Sequence, residues 1–466
     1  MGSRNPHLEN ALKASQRLRI LGLVALVATS APWVAHSKSP SPVVVRLQRA
    51  AERVFSPTQP GGVVLVRKGN EVLLRKAYGL SDVENQVAMK PDSVLRLASV
   101  TKQFTAVAVL QWVEAGKLTL DQPLSQTHPE AKGPLAGVTV RQLLTHTSGV
   151  KNISRIPESR AARRKDATLD ELLAFFKDLP LEFEPGTRFS YSNSNYILLT
   201  KLIELASGQP YAEYMQRAIF APLGMNHTRY GSHLAVIPGR AQGYQKQGEQ
   251  LMNADFISMS QPQGAGGLVS TVDDLNRWDL ALYSDKLVSQ HLLSEAFRQV
   301  SLADGSKQPY GFGWFTAEVQ GVPSFEHNGF INGFNAYTLR IPEQRVYVAV
   351  LTNAEFLDPS DLAVELAAIA LGKPYQKTTA QKLDVARWLG AYDFGQGVVR
   401  EVLLREGRLY SQRTGNDPSE LHQGPDGRYY FAEGFNHVTF SERADGQSVM
   451  TMHDRIAGDS EGVRTP

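Results

Sequence analysis

Two apolar runs, Val63-Val64-Leu65-Val66 and Val72-Leu73-Leu74, flank the turn residues Lys68-Gly69-Asn70 and predict a β-hairpin. A denser apolar stretch covers residues 99–115, with Gly116 placed to end it. Its apolar side chains (Val100, Phe104, Val107, Val109, Leu110, Trp112, Val113) spread over more than one helical face. A surface helix needs only one stripe, so this helix is predicted to be central and buried. Helical patterning continues through the middle of the chain. Thr168-Leu169-Asp170-Glu171 reads as a capping box ahead of a helix at 172–179, Pro185-Gly186 as a turn, 195–206 as a helix, and Ser270 as the cap of a helix through Trp278 and Leu282. Strand patterning returns at 336–341 and 346–351 around Pro342-Glu343-Gln344, and a helix at 362–371 closes the unit. A sheet drawn from the first and last parts of a domain, with helices between, predicts an α+β layered fold; a doubly wound parallel sheet would alternate strand and helix.

After Gly372-Lys373-Pro374 the pattern changes. Short strand-like runs at 399–404, 408–411, 428–431, 438–440 and 448–452 are separated by turns at Glu406-Gly407, Pro425-Asp426-Gly427 and Ala444-Asp445-Gly446, which predicts a small all-β module. The organisation that follows is a leader at 1–37, a main domain at 38–373 and a β module at 380–456.

With 466 residues, 42 % hydrophobic and 20 % charged, the chain can bury a sizeable core, which excludes disorder, collagen and coiled coil as descriptions of the whole. Cysteine is absent, so disulfides, thiolate nucleophiles, Cys-ligated metals and a lipid-modified cysteine are excluded. The net charge of +3 resides in the leader, where Arg4, Lys13, Arg17 and Arg19 face Glu9 alone. Without residues 1–37, basic and acidic residues balance at 45 each, so charge gives no argument for a nucleic-acid partner. The leader reads as an export signal: a basic stretch to Arg19, an apolar run over 20–28, and small residues at Ala28-Thr29-Ser30 or Ala35-His36-Ser37 for cleavage. An uncleaved anchor over 20–35 is the alternative. Both place the remainder outside the cytoplasm, periplasmic or secreted, with membrane contact only through a retained leader.

Three short motifs carry chemistry. Ser99-Val100-Thr101-Lys102 opens the buried helix, and a lysine three residues on lies one turn away on the same face. Serine is a weak nucleophile until a base takes its proton, and burial favours a neutral amine. Ser-x-x-Lys alone occurs by chance about once in a chain this long; a second, Ser148 to Lys151, lies in a Thr-Ser-Gly turn and reads as a structural loop. Tyr191-Ser192-Asn193 offers a phenol, which could shuttle a proton if its pKa were lowered, and an amide able to orient both the lysine and a substrate carbonyl. His327-Asn328-Gly329 precedes the late strand pair; an imidazole there could hold a carboxylate, and glycine admits a substrate backbone. His422-Gln423-Gly424 is explained by its neighbouring turn, and Lys246 to Gly248 lies in a polar stretch without a strand signal. Gly264-Ala265-Gly266-Gly267 reads as a tight active-site or packing turn.

In this order the motifs resemble the three active-site elements of the penicillin-recognising serine hydrolases, the superfamily of class C β-lactamases, DD-peptidases, D-aminopeptidases and β-lactamase-like esterases. The likeness extends to Leu143-Leu144-Thr145-His146-Thr147-Ser148-Gly149, Phe189-Ser190-Tyr191-Ser192-Asn193, Pro222-Leu223-Gly224-Met225 and Gly266-Gly267-Leu268-Val269-Ser270-Thr271, over about residues 45–373. The tail resembles a lipocalin-like β module. The resemblance implies a layered α/β/α sandwich with an antiparallel sheet, followed by a small all-β barrel-like domain.

It also implies an acyl-enzyme mechanism without metal or organic cofactor. Ser99 would attack, Lys102 and Tyr191 would share the proton transfers, and Asn193 would orient the substrate. His327 and Gly329 would bind substrate, and the backbone N–H groups of Ser99 and Phe330 would form the oxyanion hole. β-Lactamases of this branch usually carry lysine where His327 stands, which speaks against efficient β-lactam turnover. The expected activity is hydrolysis of D-amino-acid-containing peptides, peptidoglycan-derived ones included, or of small esters. A class C-like β-lactamase and a non-catalytic cell-wall-binding or sensor protein are the alternatives.

Overall fold

A computed structural model describes residues 41–465 apart from 128–130, 376–384, 396, 425, 433, 456 and 457. The expected leader at 1–37 and Pro425 of one expected turn lie outside the described residues. Ser41 caps the first helix, α1 (Pro42–Val54), with its hydroxyl accepting from Val44 N, and Pro42 fits a first turn that needs no N–H from it.

The predicted hairpin is β1 (Gly62–Lys68) and β2 (Glu71–Tyr78). The helical middle includes α2 (Thr101–Glu114), α3 (Asn193–Ser207) and α4 (Val272–Ala281). Four strands follow: β3 (Phe315–Val319), β4 (Val322–Ile331), β5 (Phe334–Ile341) and β6 (Val346–Thr352), then α5 (Ser360–Leu371). They form one antiparallel sheet in the order β3-β4-β5-β6-β1-β2, so the chain's early hairpin completes a sheet begun some 250 residues later.

Both faces of that sheet are covered, which is why its strands read as unbroken apolar runs. Successive side chains point to opposite faces. On β1, Val63 and Leu65 join the core of the helical middle with Phe104 and Trp278, while Val64 and Val66 pack with Leu47 of α1 and Leu366 of α5. Residues 101–110 of α2 are all buried, as its all-round apolar character requires. Beneath the sheet Asp279 of α4 is clamped between Arg67 of β1 and Arg340 of β5, with Arg340 Nε at 2.8 Å, and all three are nearly inaccessible.

Several local expectations shift. The capping box at Thr168 and Glu171 forms, but its helix is Leu169–Ala174, shorter than expected. Thr271, not Ser270, caps α4; Ser270 ends the strand Leu268–Ser270 and shares a 2.7 Å hydrogen bond with Thr228. The polar stretch around Lys246 is a hairpin, Tyr244–Gln247 with Gln250–Asn253, with too few apolar positions to signal itself.

The tail closes into an eight-stranded antiparallel barrel: β7 (Gly390–Asp393), β8 (Val399–Arg405), β9 (Arg408–Arg413), β10 (Ser419–Gln423), β11 (Tyr429–Phe431), β12 (His437–Glu442), β13 (Ser448–Asp454) and β14 (Gly458–Arg464). His422 therefore lies in a strand rather than a turn, and β14 extends past residue 456. The barrel seats on the main domain through Phe435, which joins the α5 core, and through Arg455, whose Nη2 lies 2.9 Å from both carboxylate oxygens of Glu326 on β4. Among the described residues no helix is long and apolar enough to cross a membrane.

Candidate active site

Ser99 sits in a 3₁₀ turn, Ala98–Val100, that feeds into α2. Ala98 is held at φ +47°, a left-handed conformation that costs a residue with a Cβ about 1–2 kcal/mol. One turn on, Lys102 is completely buried, and its Nζ donates to Ser99 Oγ at 3.1 Å, Asn193 Oδ1 at 2.8 Å and the Ala265 carbonyl at 2.8 Å. Ala265 comes from the glycine-rich turn, here a short helix, Gln263–Gly266. Three acceptors match the three N–H bonds of an ammonium, but none of them carries a charge. Burial drives the amine well below the usual lysine range.

Asn193 is the first residue of α3. Its Nδ2 donates to Ser154 Oγ at 3.0 Å and its backbone N–H to Asn152 Oδ1 at 3.2 Å, while Asn152 Nδ2 donates to the Tyr191 carbonyl at 3.3 Å. Tyr191 lays its ring 4.8 Å from Lys102 Nζ. Its hydroxyl is buried beside Ser99 without a hydrogen bond of full geometry. Burial pushes the phenol up, the approach to Ser99 opposing. The expected lowered phenol is thus reversed: taking the ring out of water outweighs its neighbours, and the buried amine beside it is itself driven toward neutrality.

His146 packs under this group with its ring 4.3 Å from that of Tyr191 and its backbone at φ +58°. Nδ1 accepts from Ser192 N at 3.2 Å and pairs with Asn195 Nδ2 at 3.3 Å, which assigns the proton to Nε2.

His327 lies on β4 with both ring nitrogens engaged internally. Nδ1 is 2.6 Å from the Asn328 carbonyl, which can only accept, so Nδ1 carries the proton and Nε2 accepts from Tyr310 Oη at 3.1 Å. Burial, with Lys102 nearby, pulls its pKa to about 3. The imidazole is neutral and only 1 % exposed, so the expectation that it holds a substrate carboxylate is corrected: its polar atoms are consumed behind the site. Gly329 is pressed against the turn that carries Ser99. A Cβ there would fall on the Leu97 carbonyl oxygen and lie 3.2 Å from Ser99 N, so only glycine lets β4 approach. Phe330 turns its ring outward, 60 % exposed, at the rim of the pocket.

That pocket holds about 230 Å³ between Ser99, Asn193, Ile153, Ile257, Pro262 and Phe330. A larger cleft of about 1160 Å³ opens between the barrel and β3–β4, but neither Ser99, Lys102 nor Tyr191 lines it. Among the described residues no group of three or more His, Asp or Glu is placed to hold a metal ion. Sequence reasoning missed Asn152, Ser154, Tyr310 and the positioning role of His146. Only His146 had a signal, the Thr-His-Thr-Ser-Gly run; Tyr310 reaches His327 through tertiary packing alone.

Known proteins resemble this chain along the same lines. Penicillin-binding protein 4* of Bacillus subtilis (strain 168) is 29 % identical over 90 % of this chain and 98 % of its own length. The D-aminopeptidase of Gluconobacter oxydans (strain 621H) is 28 % identical over 68 % of this chain, which spans 60 % of that protein's length. The crystal structure of a D-stereospecific amidohydrolase from Streptomyces sp. superposes with a TM-score of 0.61, 25 % identity, and coverage of 69 % of this chain and 97 % of that one. The Beta-lactamase family profile matches residues 48–373, well over half of the sequence, and the chain belongs to that family.

Proposed function

We propose that the protein is an exported serine hydrolase that acts on D-amino-acid-containing peptides or small esters through an acyl-enzyme on Ser99. The observation that carries this reading is the buried Lys102 amine, hydrogen-bonded at once to Ser99 Oγ and Asn193 Oδ1 with no carboxylate to keep it charged. The opposite pKa directions of the two proton carriers divide the work. Lys102, biased toward the neutral amine, takes the Ser99 proton as Oγ bonds to the carbonyl carbon. Tyr191, biased toward the protonated phenol, gives its proton to the leaving group as the C–N or C–O bond breaks, and regains one from the lysine. Water then attacks the ester and the same carriers restore Ser99. The backbone N–H groups of Ser99 and Phe330 are assigned to the oxyanion, a role that the tight approach of Gly329 to Ser99 N supports. The named activities of the Gluconobacter D-aminopeptidase and the Streptomyces amidohydrolase favour D-configured amides as acyl donors.

The test is intact-mass spectrometry after exposure to D-alanyl peptides, short acyl esters and a penicillin, alongside steady-state hydrolysis. An adduct of acyl mass on Ser99, with turnover abolished in Ser99→Ala, is expected. Undiminished hydrolysis by Ser99→Ala rejects the reading, and rapid release of the penicillin adduct reassigns the substrate class to β-lactams.

A further inference from the structure

Charge in the main domain is concentrated at the pocket mouth. Residues 151–165, Lys-Asn-Ile-Ser-Arg-Ile-Pro-Glu-Ser-Arg-Ala-Ala-Arg-Arg-Lys, hold six basic side chains against one acidic, in a chain that balances at 45 each, this segment included, once its leader is set aside. Ser154, Ser159, Arg160 and Arg163 of this segment line the pocket that contains Ser99. Arg163 shares its charge with Asp255 at 3.5 Å. Arg160 has no ion-pair or side-chain hydrogen-bond partner among the described residues, and its guanidinium is exposed at the rim. No Asp or Glu is among the described lining residues. Behind the opposite wall Arg96 donates to the carbonyl of Asn332, itself a lining residue, at 3.3 Å, and the neighbouring Arg240 adds to the positive field.

The part of the substrate that enters this pocket follows from proton transfer. A leaving group protonated by Tyr191 must depart on the Tyr191 side, and the pocket is lined by neither Tyr191 nor His327. It therefore receives the acyl portion that stays on Ser99. A free α-ammonium there would meet arginines and no carboxylate. His327, neutral and internally bonded, supplies no compensating charge of either sign.

We propose that Arg160 is a specificity-determining residue that selects acyl donors with a negatively charged group, such as acidic or N-carboxyacylated D-peptides, over donors with a free α-amino group. This inference rests on the acyl-enzyme reading above and narrows its substrate class. A carboxylate can form paired N–H···O bonds with the guanidinium. At an exposed rim such a pair gives a selectivity of up to about fivefold at low salt, falling as ionic strength screens it.

The experiment compares p-nitroanilides of D-alanine with a free amine, an N-acetyl or an N-succinyl group, in the parent, Arg160→Ala, Arg160→Glu and Ser99→Ala. Boronic-acid analogues of the free-amine and succinyl forms, read by tryptophan fluorescence, report affinity for the serine without turnover. The expected kcat/KM order is succinyl, acetyl, free amine. The succinyl-to-amine ratio should collapse in Arg160→Ala, invert in Arg160→Glu and shrink in 0.5 M salt, with thermal midpoints confirming folded variants. A parent that prefers the free amine, or a ratio unmoved by Arg160→Glu, overturns the inference while Ser99-dependent hydrolysis and boronate binding still stand. Hydrolysis or boronate binding that survives unchanged in Ser99→Ala strikes the underlying reading instead, and the inference with it.

Discussion

Arg455→Met removes a buried charge that ties the barrel to the six-stranded sheet. Glu326 precedes His327 on β4 and is fully buried, with Arg455 Nη2 2.9 Å from both of its oxygens and Nη1 bonded to the Glu318 carbonyl. Burial pushes the Glu326 carboxyl above its ordinary 4.5, and the guanidinium pulls it back. Without Arg455 only the Tyr337 hydroxyl still opposes burial, and the carboxyl folds after taking up a proton. At pH 7, protonating a group whose unfolded pKa is 4.5 costs 2.5 units at 1.36 kcal/mol each, so the loss is at most about 3.4 kcal/mol, less whatever the parent's own raised carboxyl already costs. That agrees with the roughly 3–5 kcal/mol lost when a buried pair is broken from one side. The sign with pH follows. The variant's folded pKa lies above the unfolded one, so the penalty is full near neutrality and shrinks by about 1.4 kcal/mol per unit on acidification. It vanishes as the pH falls to the parent's own raised value, above 4.5. Urea unfolding at pH 7 and pH 5, followed by tryptophan fluorescence, measures both quantities. Arg455→Met/Glu326→Gln should recover most of the loss, because an amide needs no counter-charge. A single variant as stable as the parent at pH 7, or one whose deficit is the same at pH 5, refutes the reasoning.

Two other outcomes are expected. Gly329→Ala should lower kcat/KM by about a hundredfold or more, because the new Cβ displaces β4 from the Ser99 turn and catalysis is lost steeply with misplacement; activity within threefold of the parent would show that the strand can yield. The buried neutral histidines should make the fold acid-labile. With His327 held to about 3 and His146 also well below 6.5, the unfolded chain binds protons that the folded one refuses, so the contribution of these two rings is full above about pH 6.5 and falls by as much as about 2.7 kcal/mol per unit below it. Urea midpoints that do not move between pH 7 and 5 would contradict this, and His327→Gln should lower the slope by up to about 1.4 kcal/mol per unit.

Legibility in the sequence followed the physics of burial. The runs at Val63–Val66 and in β6 stood out because both faces of the sheet are covered, so no polar position interrupts them. Ser99 and Lys102 were legible as a pair because helical periodicity alone sets them one turn apart. The barrel was read only in part. β10 has one buried side chain, Leu421, and the one buried position of β14 is Gly462, so neither shows an apolar alternation. In the site, residue identity was legible but protonation was not. The tautomer of His327 depends on how closely the fold brings its ring to the Asn328 carbonyl, its second partner Tyr310 lies seventeen residues away in sequence, and the direction of the Tyr191 shift depends on how completely the fold excludes water.

The pairing of β1 with β6 has a consequence for how the enzyme comes into being. A ribosome that has released the first 300 residues has already delivered Ser99, Lys102 and Tyr191. The hairpin of β1 and β2 still waits, with one edge open, for residues 346–352 to arrive. Gly329 and Phe330 arrive in the same late instalment. Translation order thus leaves the surroundings of Ser99 for last: a nascent or prematurely terminated polypeptide holds Ser99 and Lys102 without the strand that packs against their turn.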